Sequence, residues 1–320
     1  MAFNKAKKKE NYDAPKVPIT WKEIKRQKFL LIWSAIFVVY GFIFYYLPLG
    51  GWITAFQHYK PKDGFLHSKF VGLDKFEFLF DLADPRFYRV IRNTLAMGAL
   101  NLVTSFVMAI LFAILLNELK SKAGKKFIQT VSYLPHFLSW IIVTAIIHDA
   151  LSASGIVNEV LMKLGLIEKE IYFFAKPEYF WPIVAFSNLW KETGWNAIVY
   201  LAAITAIDPS LYEAAAIDGA GRWAKIKYIT LPGIKPTIMI LLLINVGNVL
   251  NAGFEVQYIL GNGLVQKVSE TIDIYVLNWG VSMGDYSLGT AAGIFKSAVS
   301  IVLIVFCNWL AKRSGEERLF

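Results

Sequence analysis

The stretch Asp208-Pro209-Ser210-Leu211-Tyr212-Glu213-Ala214-Ala215-Ala216-Ile217-Asp218-Gly219-Ala220-Gly221-Arg222-Trp223-Ala224-Lys225-Ile226-Lys227-Tyr228-Ile229-Thr230-Leu231-Pro232 lies between two long apolar runs, roughly Phe180–Ile207 and Pro236–Leu260. Asp208 before Pro209 is a helix start: a carboxylate N-cap, then a proline where its missing N–H costs nothing. Leu211 to Asp218 favours helix, and Gly219 and Gly221 predict a sharp turn through backbone angles that other residues resist. A second short helix is expected from Trp223 to about Thr230, stopped by Pro232. The small side chains of Ala214, Ala215 and Ala216 leave room for a close partner surface, and Glu213 offers it a carboxylate. The stretch thus reads as a compact helix–turn–helix joining two apolar segments.

Outward from this loop the apolar residues come in runs rather than in alternation. The 320 residues are 56% hydrophobic and 15% aromatic, with a mean hydropathy of +0.47. About 20 mostly apolar residues span a bilayer as a helix. Besides the two flanking runs, Phe29–Leu49, Thr94–Leu116, Phe127–Ala150 and Leu288–Ala311 qualify. The fold class is an all-α integral membrane protein with about six transmembrane helices. The third run is interrupted by Pro135, and the fourth is the least apolar because it holds Asn188, Lys191, Glu192 and Asn196. No small-residue cleavage site follows Phe29–Leu49, so that run reads as a membrane helix and not a removed signal.

These runs divide the chain into a basic segment 1–28, a first span 29–49, a loop 50–93, a core of five spans over 94–311 that includes the 207–235 loop, and a tail 312–320. Gly51, Pro61, Gly64, Gly72 and Pro85 punctuate the loop 50–93. Within it, Phe76, Phe78, Leu79, Phe80 and Leu82 suit either an amphipathic helix at the outer interface or a packed extracellular loop. With six spans, the segments on the N-terminal side hold 20 Lys and Arg against 9 acids, and the opposite segments hold 11 against 12. The excess of basic residues marks the cytoplasmic side, which places both termini and the 207–235 loop there. The net charge of +9 is thus a topology signal, and nucleic acid is excluded as a partner. The single cysteine, Cys307, permits no internal disulfide or Cys-based metal cluster and reads as a buried, inert thiol.

Read against known families, the loop resembles that of ABC importer permeases, the inner-membrane components of binding-protein-dependent transport. Their pattern is E-A-A, a Gly, nine residues, then I-x-L-P. Here Glu213-Ala214-Ala215 is followed by Gly219, nine residues, and Ile229-Thr230-Leu231-Pro232. Leu47-Pro48-Leu49-Gly50-Gly51 with Ala55-Phe56 and Tyr59, then Phe70-Val71-Gly72-Leu73, then Arg92-Asn93-Thr94-Leu95, looks like the oligosaccharide and polysaccharide branch of these permeases. The resemblance implies a type I importer fold in a bacterial plasma (inner) membrane. It also implies a loop, carried by Glu213, Ala214, Ala215, Asp218, Gly219, Ile229, Leu231 and Pro232, that docks on a separate ATPase. It further implies a second, distinct permease as partner, two ATPase subunits that hold ATP and Mg, an extracytoplasmic solute-binding protein and an oligosaccharide cargo. The acidic segment 151–179 and the loop 50–93 are the expected contacts for the binding protein.

Charged groups at mid-bilayer cost roughly 2.5–3.5 kcal/mol each on insertion scales, which makes them functional candidates. Asn188, Glu192, Trp195 and Asn196 fall within about 100° of arc at 3.6 residues per turn. On the next run Asn245, Asn248 and Glu255 share a face, with Asn251 at its edge, and Lys296 on the last run has no obvious local partner. Amides and carboxylates bridge sugar hydroxyls, and an aromatic ring covers the apolar sugar face, so these residues are candidates for a substrate pathway. The competing reading is helix–helix glue, with Asn pairing Asn and Lys296 neutralising Glu192 or Glu255. His136, next to Pro135, reads as structural, and no residue group has metal-ligand spacing. There is no G-x-x-x-x-G-K-[ST] phosphate loop, nucleophile elbow or H-E-x-x-H, so no cofactor or catalytic role is expected for this chain. An ion-driven transporter or a membrane enzyme using Lys191, Glu192, Glu255 and Lys296 is the rival reading.

Overall fold

The computed structural model describes residues 20–313; the rest of the basic N-terminal segment and of the tail, both assigned above to the cytoplasm, lies outside the described residues. The chain divides into two compact units, Met1–Trp52 and Ile53–Phe320. In the first, Thr20 caps a short helix, Trp21–Arg26, by accepting the Glu23 N–H at 3.4 Å. The helix Lys28–Gly41 that follows is apolar on all sides after Lys28, the composition of a span with no polar face to hide.

In the second unit Arg86–Glu118, Trp140–Lys163, Arg222–Gly247 and Tyr286–Arg313 are long and apolar enough to cross a membrane. The fourth expected crossing, Pro177–Thr205, has 29 residues, about 43 Å at 1.5 Å per residue. Its polar residues make it the weakest span by composition, and a bend of 69° separates it from Pro209–Ile217. The Arg86–Glu118 and Pro177–Thr205 helices pack along one another and form the frame of the unit. At one end of the pair Met97, Phe180 and Val184 are buried with Val143 and Val256. At the other end Ala109, Ala113, Ala197, Tyr200 and Ile204 are buried with Ile234. A third cluster joins Leu79, Phe87 and Val90 to Tyr275, Leu288 and Ala291.

The segment after Phe56 folds back and packs part of its apolar side on the unit. Gln57–His58 pairs antiparallel with Lys69–Phe70, in the register Gln57↔Phe70. Asp74–Leu79 is only six residues long, and its Leu79 is buried while Phe76 and Phe80 pack on the third cluster.

Three expected helices differ in the structure. The run 127–150 is broken into Lys122–Tyr133, a tight turn Leu134–Phe137, and a new helix from Trp140 capped by the Ser139 hydroxyl. Lys191 Nζ donates to the freed His136 carbonyl at 2.6 Å, which satisfies a group that proline would otherwise strand. Pro232 does not stop the second helix of the loop. The path is helical from Arg222 to Gly247, because a wider turn at Ile226–Thr230 absorbs the missing N–H. The run 236–260 is not continuous: it stops at Gly247 and restarts at Phe254 after Gly253, whose φ is +84°. Asn101 and Gln257 side chains both donate to the Ala252 carbonyl in the break. Cys307 is half-buried rather than buried.

Close helix contacts rest on glycines. A Cβ on Gly194 would collide with the Ser132 carbonyl, and one on Gly98 with the Val249 carbonyl. Overpacking of this kind costs about 1–3 kcal/mol. Gly194→Ala should therefore lower the thermal unfolding midpoint of the solubilised protein, whereas Gly293→Ala, with open space around it, should not. Equal midpoints for the two variants would show that the Gly194 crossing is not tight.

Candidate functional site

Two features carry the chemistry: the loop 208–232 and a polar cavity between the helices. In the loop, Asp208 Oδ1 accepts the Ser210 N–H at 2.9 Å and caps Pro209–Ile217 as expected. That helix ends in a paired closure, with Ala220 N donating to Ala215 O at 2.8 Å and Gly219 N to Ala216 O at 3.1 Å. This closure needs a left-handed residue at Gly219, and its φ is +76°. Gly221 has an ordinary extended conformation (φ −69°, ψ 172°), so only one of the two glycines is conformationally required. The Tyr212 hydroxyl and Thr230 Oγ1 lie 3.0 Å apart and tie the two arms of the loop together. Glu213, Ala214, Asp218, Leu231 and Pro232 are exposed, Ala215 and Ile229 half-buried. Ile217 and Trp223 stand 87% and 83% exposed on either side of the turn.

The cavity, about 310 Å³, lies between the two buried clusters of the Arg86–Glu118/Pro177–Thr205 pair and reaches the Leu231–Gly247 helix. Of the residues singled out in the sequence, Glu192, Trp195, Asn196, Asn245 and Asn248 line it, and so does Asn251. Asn245 and Asn248 donate their amides to the backbone carbonyls one turn back, Leu241 O at 2.8 Å and Ile244 O at 3.1 Å.

Glu192 Oε2 is 2.8 Å from His136 Nδ1, and its Oε1 is 3.3 Å from Lys191 Nζ. The His136 ring stacks on Trp195 at 4.3 Å with 2° between planes. His136 thus ties the broken third span to the polar face of the fourth. Lys191 is 5% exposed and reaches across the bundle to the His136 carbonyl and the Trp140 ring.

Asn188 does not line the cavity. Its amide donates to Asn101 Oδ1 at 3.3 Å and Val184 O at 3.0 Å, and so it braces the break at Asn248–Gly253. Glu255 is a correction: it sits on the separate Phe254–Leu260 helix and is exposed, because Gly253 turns the chain before it. Lys296 is a second correction. Its Nζ lies 2.7 and 2.8 Å from the two Asp273 oxygens, so its ion pair is with Asp273 and not with Glu192 or Glu255, and it does not line the cavity. Lys191, Glu192, Glu255 and Lys296 therefore form no charge relay. Sequence reasoning missed Asn101 and Ser105, which also line the cavity. Both are polar residues inside the apolar run Thr94–Leu116, the same signal that found the others. Among the described residues no group of acids, histidines and cysteines is placed to hold a metal ion.

The sequence pattern of the family described as "binding-protein-dependent transport system inner membrane component" matches residues 105–315. The chain is 43% identical to the polygalacturonan/rhamnogalacturonan transport system permease protein YteP of Bacillus subtilis, over 92% of this chain and 91% of that one. Two solved structures superpose closely. A bacterial ABC transporter involved in the import of the acidic polysaccharide alginate has a TM-score of 0.84 at 41% identity, covering 92% of this chain and 98% of its own. The bacterial alginate ABC transporter in complex with an alginate pentasaccharide-bound periplasmic protein has a TM-score of 0.85 at 40% identity, covering 93% and 99%.

The hydrogen bond from the Ser210 backbone holds the Asp208 carboxyl below its usual range. A carboxyl whose folded value is depressed contributes stability that is present above its unfolded value, near 4, and lost as pH falls through the folded one. The protection of the amides of residues 210–217, relative to their intrinsic exchange rate at the same pH, should therefore fall below about pH 4 in the native chain. In Asp208→Asn, which caps without titrating, it should not. Identical pH profiles in the two proteins would remove Asp208 from the cap.

Proposed function

The chain belongs to the family of binding-protein-dependent transport system inner membrane components, and from that premise we propose that its asparagine-lined cavity is half of a passage for a polysaccharide-derived oligosaccharide. It is a multi-pass membrane protein, a permease subunit of an ABC importer and not itself an enzyme. The observation that carries the substrate reading is the lining of the cavity. Asn101, Asn196, Asn245, Asn248 and Asn251 offer donors and acceptors suited to hydroxyls, and Trp195 offers a ring face. The permeases it resembles serve polygalacturonan/rhamnogalacturonan and alginate transport. Asn245→Ala should lower sugar uptake by proteoliposomes about tenfold without lowering the unfolding midpoint. Asn188→Leu should do the reverse, because it removes a brace and not a lining group. Full uptake by Asn245→Ala would overturn the reading.

The second half of the passage is a related, distinct permease. Energy comes from two ATPase subunits, which bind ATP and Mg, and cargo comes from an extracytoplasmic solute-binding protein. The 208–232 loop couples this chain to its ATPase on the cytoplasmic side, where both termini also lie. Glu213 and the exposed Ile217 and Trp223 form the docking surface, and the Gly219 closure sets its shape. A side chain at Gly219 would have to adopt a left-handed backbone, at roughly 1–2 kcal/mol. Gly219→Val and Glu213→Lys should release the ATPase subunit during co-purification while the permease pair stays intact. Retention of the ATPase by both variants would rule the loop out as the coupling surface.

A further inference from the structure

A second cavity, about 180 Å³, lies where the start of the Arg86–Glu118 helix meets the segment Gln266–Glu270. It is at the opposite end of the frame from the loop 208–232, because Arg92 stacks over Trp181, near the start of the Pro177–Thr205 helix. The charge asymmetry of the sequence assigns that end to the outside.

The lining is basic and rigid. Arg86 is spoken for: its Nε and Nη2 donate to both Glu270 oxygens at 3.0 and 2.6 Å, and its guanidinium lies over the Trp279 ring. Asn93, 1% exposed, donates to the Lys267 and Glu270 carbonyls at 3.1 and 3.0 Å, which fixes the floor. Arg92 gives its Nε and Nη2 to Asn93 Oδ1 and Nη2 also to the Lys267 carbonyl, all neutral acceptors. Its Nη1 keeps two N–H donors in reserve. Arg89 and Lys267 are exposed at the rim. Among the described residues, Arg89, Arg92 and Lys267 pair with no carboxylate. Arg89 and Lys267 thus share one small cavity with no carboxylate of their own, and Arg92 borders it with its planar fork pre-oriented. A carboxylate offers these cations a counter-charge and can accept a bidentate pair.

We propose that this cavity receives a carboxylate of an acidic oligosaccharide at the outer mouth of the permease, with Arg89 and Lys267, which line it, as its recognition groups and Arg92, held on Asn93 and the Lys267 carbonyl, beside them. The inference rests on the oligosaccharide reading above and narrows it to uronate-containing chains. The permeases of polygalacturonan/rhamnogalacturonan and alginate transport are the relatives that point the same way.

The test uses the complete importer with its binding protein, reconstituted in phosphatidylcholine alone so that no anionic headgroup competes. Uptake of trigalacturonate and of its fully methyl-esterified, uncharged form is measured for the native chain and for Arg89→Gln/Lys267→Gln, two exposed positions whose exchange leaves the buried frame in place. The preference for trigalacturonate over the ester should fall about tenfold, and Arg89→Glu should lower it further. An unchanged preference overturns the proposal. So does an equal loss for both sugars, which would make the patch a landing site for the binding protein. If the native importer carries neither sugar but carries a neutral oligosaccharide of another kind, only the uronate assignment fails. If it carries no oligosaccharide at all, the reading of the previous section falls with it.

Discussion

Inside a bilayer no water completes the hydrogen bonding of a peptide group, so every backbone N–H and C=O must find its partner within the protein. This constraint makes the chain helical and also locates its site. The helices stop within two of the expected apolar runs, at Leu134–Phe137 and Asn248–Gly253. At each, side chains take up the released carbonyl: Lys191 takes that of His136, and Asn101 with Gln257 takes that of Ala252. Both breaks face the Pro177–Thr205 helix, and the polar cavity opens beside them.

The polar residues of the fourth span therefore serve two purposes that lie one turn apart. Asn188 and Lys191 point into protein and hold the breaks together. Glu192, Trp195 and Asn196 border the cavity, with Glu192 and Trp195 also engaging His136. Glue and lining are not rival readings of the whole group but a division within it. The buried Lys191 is tolerable because the His136 carbonyl, the Glu192 carboxylate and the Trp140 ring surround its ammonium. An unpaired charge there would be strongly destabilising.

The two ends of the frame present different surfaces. The loop end presents Ile217, Trp223 and Glu213 on a turn whose shape Gly219 dictates, next to the basic Arg222, Lys225 and Lys227. The other end gathers arginines around a small cavity and neutralises only Arg86, through Glu270. The buried Asn93 and Thr94 lace this end to residues 267–272, with Thr94 Oγ1 accepting the Ile272 N–H at 2.9 Å. The Arg92-Asn93-Thr94 stretch thus has a physical role as the clasp between a span and the segment that follows the broken one.

Much of this was legible in the sequence because it depends on local chemistry and on hydropathy. The number of spans, the Asp208–Pro209 helix start, the Gly219 turn and the polar faces of two helices follow from residues near one another in the chain. What sequence could not show was where a helix ends for tertiary reasons. Asn248–Gly253 reads as helical until Asn101, 151 residues away from Ala252, supplies a donor to its carbonyl. That break removes Glu255 from the face of Asn245. Lys296 likewise has no partner within its own run, and finds Asp273 only when two segments fold together. Periodicity along the chain determined which residues are polar inside the membrane. Which of them meet was decided by the tertiary structure, because a buried charge or a released carbonyl is settled by whatever donor or acceptor packing brings within 3 Å.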